Sequence, residues 1–120
     1  MRVSFGSSTL QDAKQRLAAD VEELANNPRD GSVHWQRVST GHGCIYGVCV
    51  RRAPRSIVAF VGRLPAGLDG SDPDLWEPLC DDYSYDHDPA EIRVTTRNSY
   101  RVFWALWHRA LRMARYDFGE

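Results

Sequence analysis

Carboxylates and aromatic side chains are interleaved in one stretch of the sequence. Residues 69–91 hold nine acidic residues and no Lys or Arg. Carboxylates attract a basic partner and speed encounter with it, and large aromatic side chains serve as anchors in an interface. We therefore predict a surface that imitates the phosphates and bases of a nucleic acid. The residues predicted to dock on a basic partner are Asp72, Asp74, Trp76, Glu77, Asp81, Asp82, Tyr83, Tyr85, Asp86 and Asp88.

Two other interpretations of the acidic stretch stay open. Runs of charge are commonly solvated surface, and these acids could also fold back on the protein's own arginines. A divalent cation would find many oxygen ligands here. The spacing of Asp81, Asp82, Asp86 and Asp88 lacks the glycine and the terminal glutamate of an EF-hand loop. We therefore predict no metal site and no cofactor.

Arginines define an alternative function, the binding of nucleic acid. A stripe on the C-terminal helix and a hairpin turn could together follow a phosphate backbone. These residues are Arg101, Arg109, Arg112 and Arg115 on the helix, with Arg51, Arg52 and Arg55 in the turn. The order helix, three strands, helix resembles that of double-stranded-RNA-binding domains over about half the chain, with residues 41–43 at the position of that family's groove-reading loop. The lysine-rich start of that family's last helix is missing, and the pI of about 6.4 is low for a free-standing nucleic-acid binder.

Cysteine and histidine supply ligand types for zinc but not the spacing. The candidate residues are His42, Cys44, Cys49, Cys80 and His87. Cys44 and Cys49 are five residues apart and face opposite sides of a strand, and no Cys-x-x-Cys pair exists. Buried packing is the favoured role for both. A Cys–His nucleophilic pair stays open, because such partners meet in space rather than along the chain. No Gly-x-Ser-x-Gly, phosphate-loop or His-Glu-x-x-His motif is present, so a metal- or cysteine-dependent enzyme is the least favoured alternative to a binding protein. His34 and His108 are predicted to be polar surface or interface residues.

Hydrophobic spacing predicts two helices that flank a meander of strands. The first helix begins at Ser8 or Thr9 and ends at Asn27, before Pro28. The predicted strands are 32–40, 44–51, 57–61 and 91–96. Between the last two lies an acidic excursion over 65–90, with one helical turn capped by Asp72. The C-terminal helix, 98–116, carries an apolar stripe at Tyr100, Phe103, Trp104, Trp107, Leu111 and Ala114, with both tryptophans predicted at the centre of the core.

These elements predict a two-layer α+β sandwich, with both helices on one face of an antiparallel sheet of about four strands. A chain of 120 residues is one domain by size, here 1–120. No apolar run is long enough to span a membrane, and three cysteines favour a reducing cytoplasm. The predicted function is a small binding or inhibitor protein that suits a phage or other mobile element and targets a larger complex, such as a nucleic-acid-guided defence effector. Its oligomeric state is left open.

Overall fold

Two helices and five strands form a small α+β fold in the computed structural model, which describes residues 10–79 and 91–117. The elements are α1 Leu10–Asn26, β1 His34–Gly41, β2 Cys44–Arg52, β3 Ile57–Pro65, β4 Glu77–Leu79, β5 Glu91–Arg93 and α2 Ser99–Asp117. The predicted fold class is confirmed, with one short strand more than expected. In the described ranges no helix is both long and apolar enough to cross a membrane.

Helix α1 forms because its apolar residues recur every three or four positions, which gathers them on one face. Ala13, Leu17, Val21 and Leu24 are all buried on that face. The helix ends one residue before Asn27, as expected when the following residue is a proline. The predicted N-cap, Ser8 or Thr9, lies outside the described residues.

All strand pairs are antiparallel, and the sheet order is β1-β2-β3-β4 with β5 also on β3. Strands β1 and β2 are joined by a two-residue turn in which His42 and Gly43 both have positive φ, 52° and 76°. That is a type I′ turn, whose twist suits a hairpin. The strand β4 was missed by the sequence analysis because it is only three residues long and contains Pro78, which is tolerated at a sheet edge.

The short strands β4 and β5 follow one another along the same edge of β3. Leu79, the last residue of β4, is opposite Val61, whereas Glu91, the first residue of β5, is opposite Phe60. Both strands run antiparallel to β3, so they run in the same direction. Together they are one edge strand, interrupted between residues 79 and 91.

The sheet is buried on both faces along β3, whose residues 57–61 are continuously apolar. One face packs against both helices through Val48, Val50, Ala59 and Val61. The opposite face carries a second cluster, formed by Val33, Cys49, Phe60, Leu64 and Trp76 with Trp35 and Leu75 against it. This second cluster is covered by the chain after β3, through Leu75 and Trp76.

The predicted orientation of α2 is partly wrong. Phe103 and Trp107 are buried, but Trp104 is 54% exposed and Tyr100 is 47% exposed. Apolar residues occupy more than half of the circumference of α2, so two neighbouring stripes could be buried. The stripe that faces α1 and the sheet contains Val102, Phe103, Leu106, Trp107, Ala110 and Ala114. The core of the domain therefore contains one of the two tryptophans rather than both.

Candidate functional site

The first part of the acidic excursion folds back onto the sheet. Trp76 is only 4% exposed, and its Nε1 donates a hydrogen bond to the carbonyl oxygen of Gly70 at 2.6 Å. Its ring meets the ring of Trp35 edge-on, with centroids 5.5 Å apart. Space for the ring comes from Gly62, where an added Cβ would lie 2.6 Å from Trp76 Cε3. The ring of Trp76, predicted to anchor a partner, is therefore buried within the protein in this structure.

The described acids of this segment differ in how they are bonded. Glu77 accepts a hydrogen bond from Nη2 of Arg63 at 2.6 Å, so its charge is neutralised within the protein. Asp72 caps the turn Pro73–Leu75, as predicted, by accepting from the backbone N–H of Asp74 at 2.9 Å. Asp69 accepts from the backbone N–H and the hydroxyl of Ser71, and these bonds lower the pKa of its carboxyl.

Asp69 and Asp74 are exposed, and within residues 10–79 and 91–117 no Lys or Arg nitrogen is found within 4.0 Å of either carboxylate. They are two acids of this segment that are available to an external partner. The other predicted docking residues, Asp81, Asp82, Tyr83, Tyr85, Asp86 and Asp88, lie outside the described residues.

Three arginines line an open cleft of about 490 Å³. They are Arg52, Arg55 and Arg93, and the cleft is also lined by Ser56, Thr95 and Thr96, with Val21 and Ala25 of α1. Arg52 donates from Nη2 to the carbonyl oxygen of Leu24 near the end of α1, which holds its guanidinium in place. Guanidinium and hydroxyl groups are the usual protein donors to phosphate oxygens. The cleft therefore has the chemistry of an anion site.

The predicted arginines do not all reach this cleft. Arg51 is paired with Glu91, so its charge is partly neutralised. On α2, Arg101, Arg112 and Arg115 are exposed and Arg109 is half-buried, and none of them lines the cleft. Arg93, which the sequence analysis did not select, does line it. The strand β5 places this arginine there, and no local sequence signal indicates that position.

Two exposed aromatic rings of α2 lie near Lys14, in the N-terminal half of α1. Lys14 Nζ lies 5.6 Å from the ring centroid of Tyr100 and 5.4 Å from that of Trp104. Lys14, Val21 and Ala25 share one face of α1, because they are seven and four residues apart. The aromatic pair and the cleft therefore lie on the same side of the molecule, about 17 Å apart along α1 at 1.5 Å per residue. We call this region, formed by the cleft residues together with Lys14, Tyr100 and Trp104, the basic groove.

A cluster of carboxylates, missed by the sequence analysis, surrounds His34. Its Nδ1 lies 3.4 Å from Asp20 Oδ1, and its Nε2 lies 3.0 Å from Asp30 Oδ2 and 4.0 Å from Glu23 Oε2. Asp20 and Glu23 are three residues apart on α1, and Asp30 belongs to the turn that leads to β1. Ser32 donates to Asp30 Oδ1 from its backbone N–H and its hydroxyl, which lowers the pKa of Asp30 to about 2. Burial raises the pKa of Asp20, and the proximity of His34 opposes that shift.

The two described cysteines do not form a ligand set. Cys49 is fully buried in the second cluster of the sheet, and burial raises the pKa of its thiol. Cys44 is half-buried at the start of β2, and neither thiol belongs to a group of potential metal ligands among the described residues. The packing role predicted for Cys49 is confirmed. Cys80 and His87 lie outside the described residues.

No protein-family model matches this chain, and no curated protein and no solved structure is significantly similar to it. Function must therefore be argued from the groups described above.

Proposed function

We propose that this protein is a non-enzymatic binding protein of the cytoplasm and that the basic groove takes single-stranded nucleic acid. The observation that carries the proposal is the pairing of an arginine-lined cleft with exposed aromatic rings on the same side of α1. Proteins that bind single strands combine positive charge, which follows the backbone, with aromatic rings on which bases stack. The net charge of −1 does not oppose this, because nine of the sixteen acids lie in residues 69–91.

Charge within the groove supports a phosphate ligand. Arg55 and Arg93 have no carboxylate within 4.0 Å in the described part of the chain. Arg52 is held by a carbonyl oxygen, which leaves its positive charge uncompensated. Three uncompensated arginines around one cleft repel one another, and a phosphate would relieve that repulsion. The exposed ring of Trp104, about 17 Å away along α1, then offers a surface for a base further along the same strand.

Fluorescence anisotropy with labelled single-stranded DNA and RNA of about 15 nucleotides tests the proposal. Arg55→Gln combined with Arg93→Gln should weaken binding and reduce the slope of log K against log salt by about 1.4, since each phosphate contact on a single strand contributes about 0.7. Trp104→Ala should cost about 1–3 kcal/mol, or 5- to 150-fold in affinity. Arg37→Gln, on the exposed surface of the opposite edge strand, is the control and should bind as wild type does.

Absence of binding at micromolar protein in about 50 mM salt would refute the groove as a nucleic-acid site. Equal losses for Arg37→Gln and for the groove variant would show non-specific attraction instead. Preference for duplex over single strands would remove the role given to Trp104, because a stacked duplex does not offer its base faces.

A second candidate function is the docking of the acidic segment on a basic site of a larger protein, as an inhibitor encoded by a phage or mobile element would do. Exposure of Asp69 and Asp74 without a basic partner in the described chain favours it. Residues 81–88 add four aspartates by sequence. Burial of Trp76 weakens this candidate relative to the groove, because it removes one predicted anchor.

Neutralisation of the aspartates in the acidic segment distinguishes the two functions. Replacement of four aspartates by asparagine should abolish salt-sensitive association with a purified nucleic-acid-guided effector, while binding to single-stranded DNA stays unchanged. The four residues are Asp81, Asp82, Asp86 and Asp88. Glu22→Gln, an exposed acid on α1, serves as the control for a change in net charge. If the neutralised variant and wild type bind the effector equally, the acidic docking function is wrong.

A further inference from the structure

We propose that Glu23, Asp30 and His34 bind a divalent transition-metal ion, with Zn²⁺ preferred, and that Asp20 orients the imidazole. This inference is independent of both candidate functions above. It rests on a histidine nitrogen and carboxylate oxygens that converge from three consecutive elements of the chain: α1, the turn after it and β1.

The ligand atoms are already close to the spacing that a metal requires. One ligand atom from each of Glu23, Asp30 and His34 lies within 4.8 Å of the others. Tetrahedral zinc, with bonds of about 2.0–2.2 Å, places its ligand atoms about 3.3 Å apart. The Nε2-to-Oδ2 distance of 3.0 Å between His34 and Asp30 is near that value, and the 4.0 Å to Glu23 Oε2 is longer. The side chain of Glu23 is 62% exposed, so it is free to close that gap by rotation.

Two further contacts around the ligands, from Asp20 and from Ser32, have the directions that a metal site needs. A histidine that binds metal through one nitrogen commonly donates its other N–H to a carboxylate, which fixes the tautomer. Asp20 Oδ1, 3.4 Å from Nδ1, lies where it would accept that proton and leave the Nε2 lone pair for the ion. On the opposite side, Ser32 holds Asp30 Oδ1 through two hydrogen bonds, which leaves Oδ2 directed at His34.

The charge balance of the cluster favours the binding of a cation. Three carboxylates surround one imidazole, so the group carries a net charge of −2 even with His34 protonated. Within the described ranges, no Lys or Arg nitrogen lies within 4.0 Å of Asp20, Glu23 or Asp30. Carboxylates this close repel one another, and the cost grows as the site becomes less exposed to water. The side chains of His34 and Asp30 are only 19% and 16% exposed, so solvent screens this repulsion incompletely.

One nitrogen and two oxygen ligands favour a first-row metal over Mg²⁺ or Ca²⁺. Calcium and magnesium are usually bound by oxygen alone, whereas imidazole suits Zn²⁺, Fe²⁺ and Ni²⁺. Zn²⁺ adopts four-coordination with three protein ligands and a water molecule. Such an ion would join the last turns of α1 to the start of β1, so metal binding should stabilise the folded protein.

Isothermal titration calorimetry of the full chain with Zn²⁺ tests the site, with Mn²⁺ and Mg²⁺ as competitors. We expect one Zn²⁺ to bind per chain at micromolar metal. Mn²⁺ should bind more weakly, and Mg²⁺ should not bind at the same concentrations. Glu23→Gln should weaken Zn²⁺ binding at least tenfold, because it removes a ligand. The position is exposed, so the change should have little effect on folding. Asp20→Asn should weaken Zn²⁺ binding about 10- to 100-fold, which is typical when the partner of a ligating histidine is lost. Glu22→Gln, the adjacent acid outside the cluster, should bind as wild type does.

Cobalt substitution identifies the ligands independently of affinity. Co²⁺ in this site should give ligand-field absorption without a sulfur-to-cobalt charge-transfer band, since no cysteine belongs to the cluster. The melting temperature should rise with Zn²⁺ in wild type and rise much less in Glu23→Gln. Three results would each overturn the proposal: failure of wild type to bind Zn²⁺, equal affinity in Glu22→Gln and Glu23→Gln, or a thiolate band with Co²⁺. His34 would then be a residue held by hydrogen bonds among carboxylates.

Discussion

Replacement of Trp76 by alanine tests the structural basis of the second face of the sheet. The side chain is 4% exposed, and a buried aromatic side chain covers about 150–250 Å². At about 25 cal/mol per Å², loss of all but the Cβ removes roughly 4 kcal/mol, in line with the 3–5 kcal/mol typical of Trp→Ala in cores. The carbonyl of Gly70 also loses its donor, which adds about 1 kcal/mol or more. We expect the free energy of unfolding to fall by about 4–6 kcal/mol.

Urea denaturation followed by circular dichroism measures this change. For 120 residues, an unfolding entropy of about 0.25 kcal/mol/K converts the loss into a melting temperature lower by roughly 15–25 °C. Trp104→Ala is the matched control, because the same side chain is removed from a position that is 54% exposed. It should cost less than about 1 kcal/mol. Trp76→Phe isolates the hydrogen bond and should lie between the two.

The comparison of the two alanine variants decides whether the reasoning holds. If Trp76→Ala costs no more than Trp104→Ala, residues 65–79 do not cover the sheet, and Trp76 would again be available as an anchor for a partner. A large loss for Trp104→Ala would contradict the described orientation of α2. Either outcome would also change the proposed function, since the groove depends on an exposed ring at position 104.

Three further predictions test other parts of the structure. Gly62→Ala should destabilise the protein by more than 1 kcal/mol in urea denaturation, because the added Cβ would lie 2.6 Å from the Trp76 ring, whereas Gly31→Ala, with no heavy atom within 4 Å, should change stability little. Cys49 should react with a thiol reagent only as the protein unfolds, since burial raises its pKa and excludes the reagent, and fast labelling of the folded protein would contradict its burial. Ser71→Ala should raise the pKa of Asp69 in an NMR titration. That pKa is lowered in the fold, so its stabilising contribution is present above the ordinary aspartate pKa and is lost as pH falls through the folded value, and an unchanged pKa would show that the hydroxyl does not bond to the carboxylate.

Local sequence patterns predicted a helix or turn well where apolar spacing, a proline or a capping residue determines the backbone conformation. The spacing from Ala13 to Leu24 predicted α1, Pro28 predicted its end, and Asp72 followed by Pro73 predicted a capped turn. These signals act through bonds and sterics within a few residues, so no tertiary information is needed to interpret them.

The pattern of residue types in the sequence did not predict which side chains pack together in the fold. Helix α2 has apolar residues around more than half of its surface, so the sequence allowed Trp104 to be buried, and only packing against α1 selects its neighbours instead. Trp76 was assigned to a partner because its environment is acidic, whereas Gly62 across the sheet provides space for its ring. The His34 cluster joins residues fourteen positions apart through a turn, and no spacing rule covers that arrangement.

The interrupted edge strand has a consequence for variation in this protein. Residues 79 and 91 pair with consecutive residues of β3, so whatever connects them starts and finishes at almost the same point of the sheet. A connection anchored in this way could be shortened, lengthened or exchanged as a cassette at little cost, since closure entropy changes by only about 0.6 kcal/mol for each doubling of length. Homologous chains could therefore carry unrelated connections on an unchanged scaffold, and a foreign peptide could be displayed at the same position.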